Sequence, residues 1–463
     1  MSNVKSMMLP EQVSVQDNYN ANPISQEARV DSIYLLPSQS NNQSCRFVLQ
    51  TGGVLDMKNT RLVLQAKPDN ALNNNKAAYP MPTGVASLID RAILRFGAKV
   101  ACTSSNYGSY FSIVNSSFTS TDRKKNIDHY VHLTSNAWET VLDSTNVVYD
   151  GSGSCFGDTI DTIPLLNQDA DAASNGSLSL ADIFPGFINT DLPLFLMKDE
   201  VSIELQFKQE NSIGDRCIGL DSYDAASFAN SIVEDELMLC CDHVYFSNMR
   251  MNQIRESFSN NGFTAFYSDM QSTRDNLPVP VAPTTEQRTT HHIGGSGKTI
   301  SSILLAQPEI DATSDTVIYG LGKYGSDACK TKKGFNVSIN NQNLFAIDVA
   351  NMNYAQLNNM LGTLYGNNYP EIAYGLWNEL QPEGMSDRQW ASAGVTYEVF
   401  QGQENYNGVN LGEVRVNAIP VSVELLRHTS SGGGLVAQDF ISFITIKRQI
   451  AIMPNGVVNL SYS

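Results

Sequence analysis

Val201-Ser202-Ile203-Glu204-Leu205 returns 220 positions later as Val421-Ser422-Val423-Glu424-Leu425. Both copies alternate apolar and polar residues, as a strand with one buried face does. Each lies downstream of a proline (Pro193, Pro420) and upstream of a strand-like run rich in Phe, Val and Ile. The spacing far exceeds the period of roughly 20–50 residues that marks solenoids and propellers. It predicts two like-built β units in tandem.

The surroundings of the two copies agree. Before the first, Ile33-Tyr34-Leu35-Leu36 stops at Pro37, Arg46-Phe47-Val48-Leu49 before Gly52-Gly53, and Arg61-Leu62-Val63-Leu64 before Pro68. Ile93-Leu94-Arg95-Phe96 continues this series of short, turn-punctuated strands. Tyr107, Tyr110, Phe111 and Val114 have helical spacing. Residues 118–180 are loop-rich, and Leu237–Phe246 reads as a strand after the phrase. The second half repeats the order. Ile300–Leu305 and Phe335–Ile339 are strand-like, Tyr354, Leu357, Leu361 and Leu364 predict a short helix, and residues 366–410 are loop-rich. The second phrase and Phe440–Met453 follow. Each half is too long for hairpins alone, which favours Greek-key crossings. The expectation is an all-β double jelly roll: two eight-stranded Greek-key sandwiches in tandem, with a few short helices in loops. Its parts are an N-terminal arm (1–27), a first jelly roll (28–249), a connector (250–285) and a second jelly roll (286–463). Within the connector, Met251–Phe258 reads as helical, and Pro278, Pro280 and Pro283 stiffen the exit.

Bulk properties narrow the function. A chain of 463 residues exceeds what one core holds. Its net charge of −17 repels phosphate backbones, and the densest basic run is only Arg123-Lys124-Lys125, so no direct nucleic-acid contact is expected. Seven scattered cysteines without a Cys-x-x-Cys pair read as reduced thiols, with Cys240 and Cys241 on opposite faces of one strand. No signal peptide is expected after Met1–Ser6, and no run approaches the ~20 apolar residues of a membrane span.

Three segments resemble one family. Ile183-Phe184-Pro185-Gly186-Phe187, Asp191-Leu192-Pro193-Leu194 and Glu200-Val201-Ser202-Ile203 form a run similar to one in major capsid proteins of the double jelly-roll lineage of icosahedral double-stranded DNA viruses. That group spans large nucleocytoplasmic viruses, virophages and polinton-like viruses. Asp242-His243-Val244-Tyr245-Phe246, with Arg250 and Arg255, resembles the last strand of the first jelly roll entering a connecting helix. The stretch Arg448–Ser463 resembles the closing strand and tail. The resemblance implies a homotrimeric, pseudo-hexagonal capsomer that tiles the shell beside neighbouring capsomers, penton and minor capsid proteins, in the virion. Residues 118–180 and 366–410 would supply outer towers. The arm 1–27 would meet an inner membrane, a cement protein or the next capsomer.

In Phe440–Lys447 both faces are partly apolar: Phe440, Ser442, Ile444 and Ile446 alternate with Ile441, Phe443, Thr445 and Lys447. Such a strand belongs between layers, so residues 436–453 are expected between the sandwiches or against a neighbouring subunit.

The motifs that hint at chemistry read more simply as structure. Gly294-Gly295-Ser296-Gly297-Lys298-Thr299 resembles a phosphate-binding loop, but His292 stands where the first glycine is required and a strand follows. Asp128, His129 and His132 lack a third spaced ligand and read as a surface loop or short helix, and His291-His292 is no better as a site. Asp158, Asp161, Asp169 and Asp171 lack calcium-loop spacing. Tyr374, Trp377 and Trp390 could stack a sugar, though a core or trimer contact fits them too. The glycosylation-type triplets at Asn42, Asn115, Asn175, Asn336 and Asn459 read as chance. No catalytic, cofactor-binding or metal-binding residues are expected, and no cofactor. The leading reading is a non-enzymatic major capsid protein. The alternatives are a glycan-binding β-sandwich surface or spike protein, and a cupin-like enzyme, which six dispersed histidines disfavour.

Overall fold

The computed structural model describes residues 28–41, 43–68, 77–78, 84–108, 110–111, 131–132, 175–187, 191–208, 218–219, 230–277, 286–306, 331–344, 406–429 and 438–462. The first half contributes β1 (Ala28–Leu35), β2 (Gln39–Asn41), β3 (Ser44–Val48), β4 (Val54–Leu55), β5 (Arg61–Leu64), β6 (Ala66–Pro68) and β7 (Ala77–Ala78). It continues with β8 (Ile89–Phe96), β9 (Lys99–Ser105), β10 (Gly176–Ser179), β11 (Val201–Phe207), β12 (Ile218–Gly219), β13 (Asn230–Ile232) and β14 (Met238–Phe246). A helix, Asn248–Asn261, leads into the second half. That half holds β15 (Phe263–Leu277), β16 (Glu286–Gly294), β17 (Thr299–Ala306), β18 (Thr331–Ile339) and β19 (Gln342–Asn343). It ends with β20 (Tyr406–Arg415), β21 (Val421–Thr429), β22 (Gln438–Ile452) and β23 (Val458–Tyr462).

The main sheet paths of the two halves match. One sheet of the first half runs β1-β14-β5-β10, with β4 on β14; its counterpart runs β15-β22-β17-β20, with β23 on β22. The opposing sheets run β2-β3-β11-β8-β9 and β16-β21-β18-β19. The two copies of the repeated phrase, β11 and β21, hold the same place. Each lies antiparallel between two partners, β3 and β8 in one half and β16 and β18 in the other. Most neighbours along these paths are far apart in sequence, so the chain crosses between sheets as a Greek key does.

Alternation explains the burial. On β11, Val201, Ile203, Leu205 and Phe207 are buried, while Glu204 and Gln206 reach outward. Ser202 is the exception, buried with the apolar set. Phe47, Leu94 and Ile203 from one sheet meet Leu62, Leu178 and Leu239 from the other in the first core. The second core joins Val337, Val423 and Ile293 to Ile303, Phe440 and Ile444. Each such side chain contributes roughly 1.5–3 kcal/mol by leaving water. Cys241 is buried and Cys240 half-buried, as their alternation requires; both are free thiols, like the buried Cys45 and Cys102.

One expectation changes. Phe263–Leu277, read as part of the connector, is the long strand β15, fully paired with β22. Its alternation is masked because Asp269 is buried while Phe266 is exposed. The helix expected from Tyr107 onward is seen at Tyr107, Tyr110 and Phe111; Val114 falls outside the described residues. The helix at Tyr354–Leu364, the prolines at 278, 280 and 283, the arm 1–27 and most of both loop-rich stretches also fall outside them. Among the described residues, no helix is long and apolar enough to cross a membrane.

Candidate functional site, the seam between the sandwiches

The register of the β15–β22 pair lays out the seam. Phe263 pairs with Ile452, Tyr267 with Arg448, Asp269 with Ile446, Gln271 with Ile444 and Asp275 with Phe440, so these residues share a face. At one end of that face Leu277, Phe440, Ile444 and Ile446 belong to the second core. At the other end Phe263, Tyr267, Ile450 and Ile452 belong to the first. Gln271, Asp269 and Arg448 lie between, a polar layer dividing two cores that one strand pair bridges.

That layer brings two sheet edges together and supplies donors to one of them, β9. β9 and β15 are edge strands of their sheets, and an edge leaves backbone groups without partners. The Tyr267 hydroxyl donates to the Ala101 carbonyl at 2.7 Å. Arg448 Nη1 donates to the same carbonyl at 2.7 Å and to Asp269 Oδ2 at 2.9 Å, and Nη2 reaches the Val100 carbonyl at 3.3 Å. The Tyr267 ring stacks on Phe187, centroids 4.4 Å apart. Tyr462 of β23 lies under both Arg448 (4.7 Å) and Lys298 (4.6 Å), and Lys298 Nζ donates to Gln271 Oε1 at 2.8 Å.

Arg448 and Asp269 are only 8% and 5% exposed. Burial pushes the Asp269 carboxyl above the usual carboxylate range, against the pull of Arg448. Burial, reinforced by Asp269, also pushes the Cys102 thiol well up, so it is inert.

Three further contacts secure the seam. On the opposite face of the strand pair, Met270, Ile441, Phe443 and Leu304 form a small cluster against Tyr110, whose ring meets Phe443 edge-on at 5.5 Å. Asn106 Nδ2 donates to Ser272 Oγ at 3.2 Å. Gly186 lies so close that a Cβ there would fall 1.4 Å from the Ser268 carbonyl oxygen, so no larger residue fits. The turn after β22 docks on the first half as well: Lys198 N donates to the Gly456 carbonyl at 2.9 Å and Val458 N to Asp199 Oδ2 at 3.0 Å. Lys99 Nζ donates to the Val458 carbonyl.

The placement of residues 436–453 between the sandwiches is therefore seen directly for β22. Asp269, Tyr267 and Cys102 were not singled out by sequence. The available signal was Arg448 itself: a charge inside a strand apolar on both faces demands a buried partner.

Among the described residues, those that hinted at chemistry do not come together, and each has a structural place of its own. His132 is buried rather than on a surface loop, 3.6 Å from Asp182 and edge-on to Phe111. Asp182 belongs to the Ser179 capping box that starts the turn Leu180–Ile183. His291 contacts Asp275 and Thr289. The glycine-rich stretch is the β16–β17 turn, with Gly294, Gly295 and Gly297 all at positive φ. No cluster of three or more metal-ligating side chains occurs among the described residues. Asp128, His129, the aspartates at 158, 161, 169 and 171, and Tyr374, Trp377 and Trp390 lie outside them.

Solved structures share this architecture. VP54 of PBCV-1, fitted into a reconstruction of the virophage Sputnik, aligns with a TM-score of 0.57 at 13% identity, over 94% of this chain and 97% of that one. The quasi-atomic PBCV-1 virus capsid gives 0.56 at 13% identity, over 94% and 97%. The Sputnik virophage structure gives 0.54 at 10%, over 100% and 95%. The fold is a double jelly roll. No protein-family model matches the sequence, and no curated protein matches it. At such identities the likeness is one of architecture, and it extends over both halves of the chain.

Arg448→Met leaves Asp269 as an unpaired buried charge and should cost about 3–5 kcal/mol in urea unfolding. Arg448→Met combined with Asp269→Leu should recover the part of that loss due to the unpaired carboxylate, while the Val100 carbonyl stays without its donor; a double variant no better than the single would contradict the pairing.

Burial raises the Asp182 carboxyl, but its hydrogen bonds to His132 and Ser179 outweigh this and hold it below the usual value. A lowered carboxylate contributes stability above its unfolded pKa and loses it as pH falls. Below about pH 4 the melting temperature should therefore fall more steeply in wild type than in Asp182→Asn. Parallel curves would contradict the assignment.

Proposed function

We propose that this chain is a major capsid protein of an icosahedral double-stranded DNA virus. It acts by assembly, without catalysis. Three copies form a pseudo-hexagonal capsomer, and capsomers tile the shell against their neighbours, penton and minor capsid proteins. The observation that carries this reading is the full-length likeness to capsid structures, joined here to a seam that fixes two sandwiches side by side. Such a unit is rigid in the way a tile requires: apolar cores, a β9 edge covered at the seam, and a strand that serves both halves. We assign residues 28–249 to the first jelly roll and 286–463, with β15, to the second. The arm 1–27 would engage an inner membrane, a cement protein or the next capsomer, and the virion is the proposed location.

Obligate contacts of this class bury roughly 2,000–5,000 Å² or more. The purified chain, 50.7 kDa, should therefore run by light scattering as a trimer of about three times that mass at micromolar concentration. Negative-stain images should show particles of hexagonal outline. A monomer at all concentrations would count against the capsid reading.

A further inference from the structure

The glycine-rich stretch that resembles a phosphate-binding loop presents Lys298 to the seam. It is the turn between β16 and β17, and Gly294, Gly295 and Gly297 sit there at positive φ, a conformation that larger residues rarely adopt. Backbone hydrogen bonds fix the turn on both sides of the lysine. Gly297 N donates to the Asn417 carbonyl at 2.8 Å, Lys298 N to the Gly295 carbonyl at 3.1 Å, and Val416 N to the Lys298 carbonyl at 2.9 Å. From this fixed point the side chain reaches across to β15, where Nζ donates to Gln271 Oε1 at 2.8 Å. The Tyr462 ring covers one side of the amine, its centroid 4.6 Å from Nζ.

An amine held against a carboxamide can react with it once the amine sheds its proton. Burial lowers the proton affinity of the Lys298 amine, Asp269 opposes this, and Arg448 adds to it; the balance lies below the usual lysine range. The geometry supplies the other requirement. Nζ is already in contact with the Gln271 amide, and both ends of the contact stand on fixed backbone, one in the tied turn and one in the paired strand β15. Well-oriented groups within one molecule react as if present at about 10⁵–10⁸ M.

We propose that Lys298 and Gln271 become joined by an isopeptide bond that forms within the chain, with no added reactant. The Nζ lone pair bonds to Gln271 Cδ and the Cδ–Nε2 bond breaks. One Nζ proton passes to the departing nitrogen, which leaves as ammonia. Nothing is oxidised or reduced. The link staples the edge strand β15 to the β16–β17 turn beside the polar layer of the seam. Like a disulfide, it closes a loop of chain that a hydrogen bond leaves free to open. It goes beyond the capsid reading and does not depend on it.

The test uses the full-length chain, purified and then incubated at mildly alkaline pH. Intact mass spectrometry should find the wild type lighter than its sequence by one ammonia. Protease digestion should give one branched peptide that holds residues 271 and 298. Lys298→Arg and Gln271→Met should each keep the full sequence mass and melt at a lower temperature than the linked wild type. The wild-type mass and peptide map decide the matter even where a variant fails to fold. A wild type that stays at its sequence mass would overturn the proposal. So would a loss of ammonia that persists in Lys298→Arg or maps to an Asn-Gly pair. Neither result bears on the trimer measured by light scattering, so this link and the capsid reading fail separately.

Discussion

The buried ion pair between Arg448 and Asp269 is the constraint around which the rest is arranged. Two β-sandwiches placed side by side each bring an edge strand to the contact, and those edges carry backbone carbonyls that must find donors. Arg448 and Tyr267 serve Val100 and Ala101, and Asp269 neutralises the guanidinium. A purely apolar contact would leave those carbonyls dry and unpaired, at about 1–3 kcal/mol each. The pair contributes little net energy compared with apolar residues of similar shape, because both charges lose water. What it fixes is geometry: the guanidinium has one arrangement in which it meets two carbonyls, a carboxylate and the Tyr462 ring together. The strand that carries it runs unbroken from one core into the other, so the position of one sandwich is transmitted to its neighbour without a flexible joint.

This arrangement clarifies what was readable from sequence. The duplication was legible because the phrase at Val201 and Val421 lies on a strand paired on both sides in each half, where alternation is least disturbed. The two-faced apolar pattern of Phe440–Lys447 was legible for a related physical reason, since only a strand covered on both sides avoids polar residues on both. β15 was not legible. Its residues face water, the first core, the second core and the seam in turn, so no single period runs along it. The depth of His132 was not legible because one histidine beside an aspartate carries no signal of burial; that comes from Phe111 and the Ser179 cap, both distant in sequence.

The family-like run at 183–203 acquires a physical meaning from the seam. Gly186 is there because the backbone of Ser268 passes within contact of its Cα, and Phe187 because its ring carries Tyr267. The likeness in the terminal stretch has the same origin, as Arg448, Gly456 and Tyr462 all touch the first half or the seam. Parts of two of the three segments that resemble the family thus help to hold the two sandwiches in a fixed relation.

The central claim is that the seam makes two sandwiches one mechanical unit, and calorimetric unfolding of the full chain tests it most directly. A single transition, with calorimetric and van't Hoff enthalpies equal per cooperative unit, is the predicted result. Two resolved transitions, one per sandwich, that persist unchanged in Arg448→Met would contradict it.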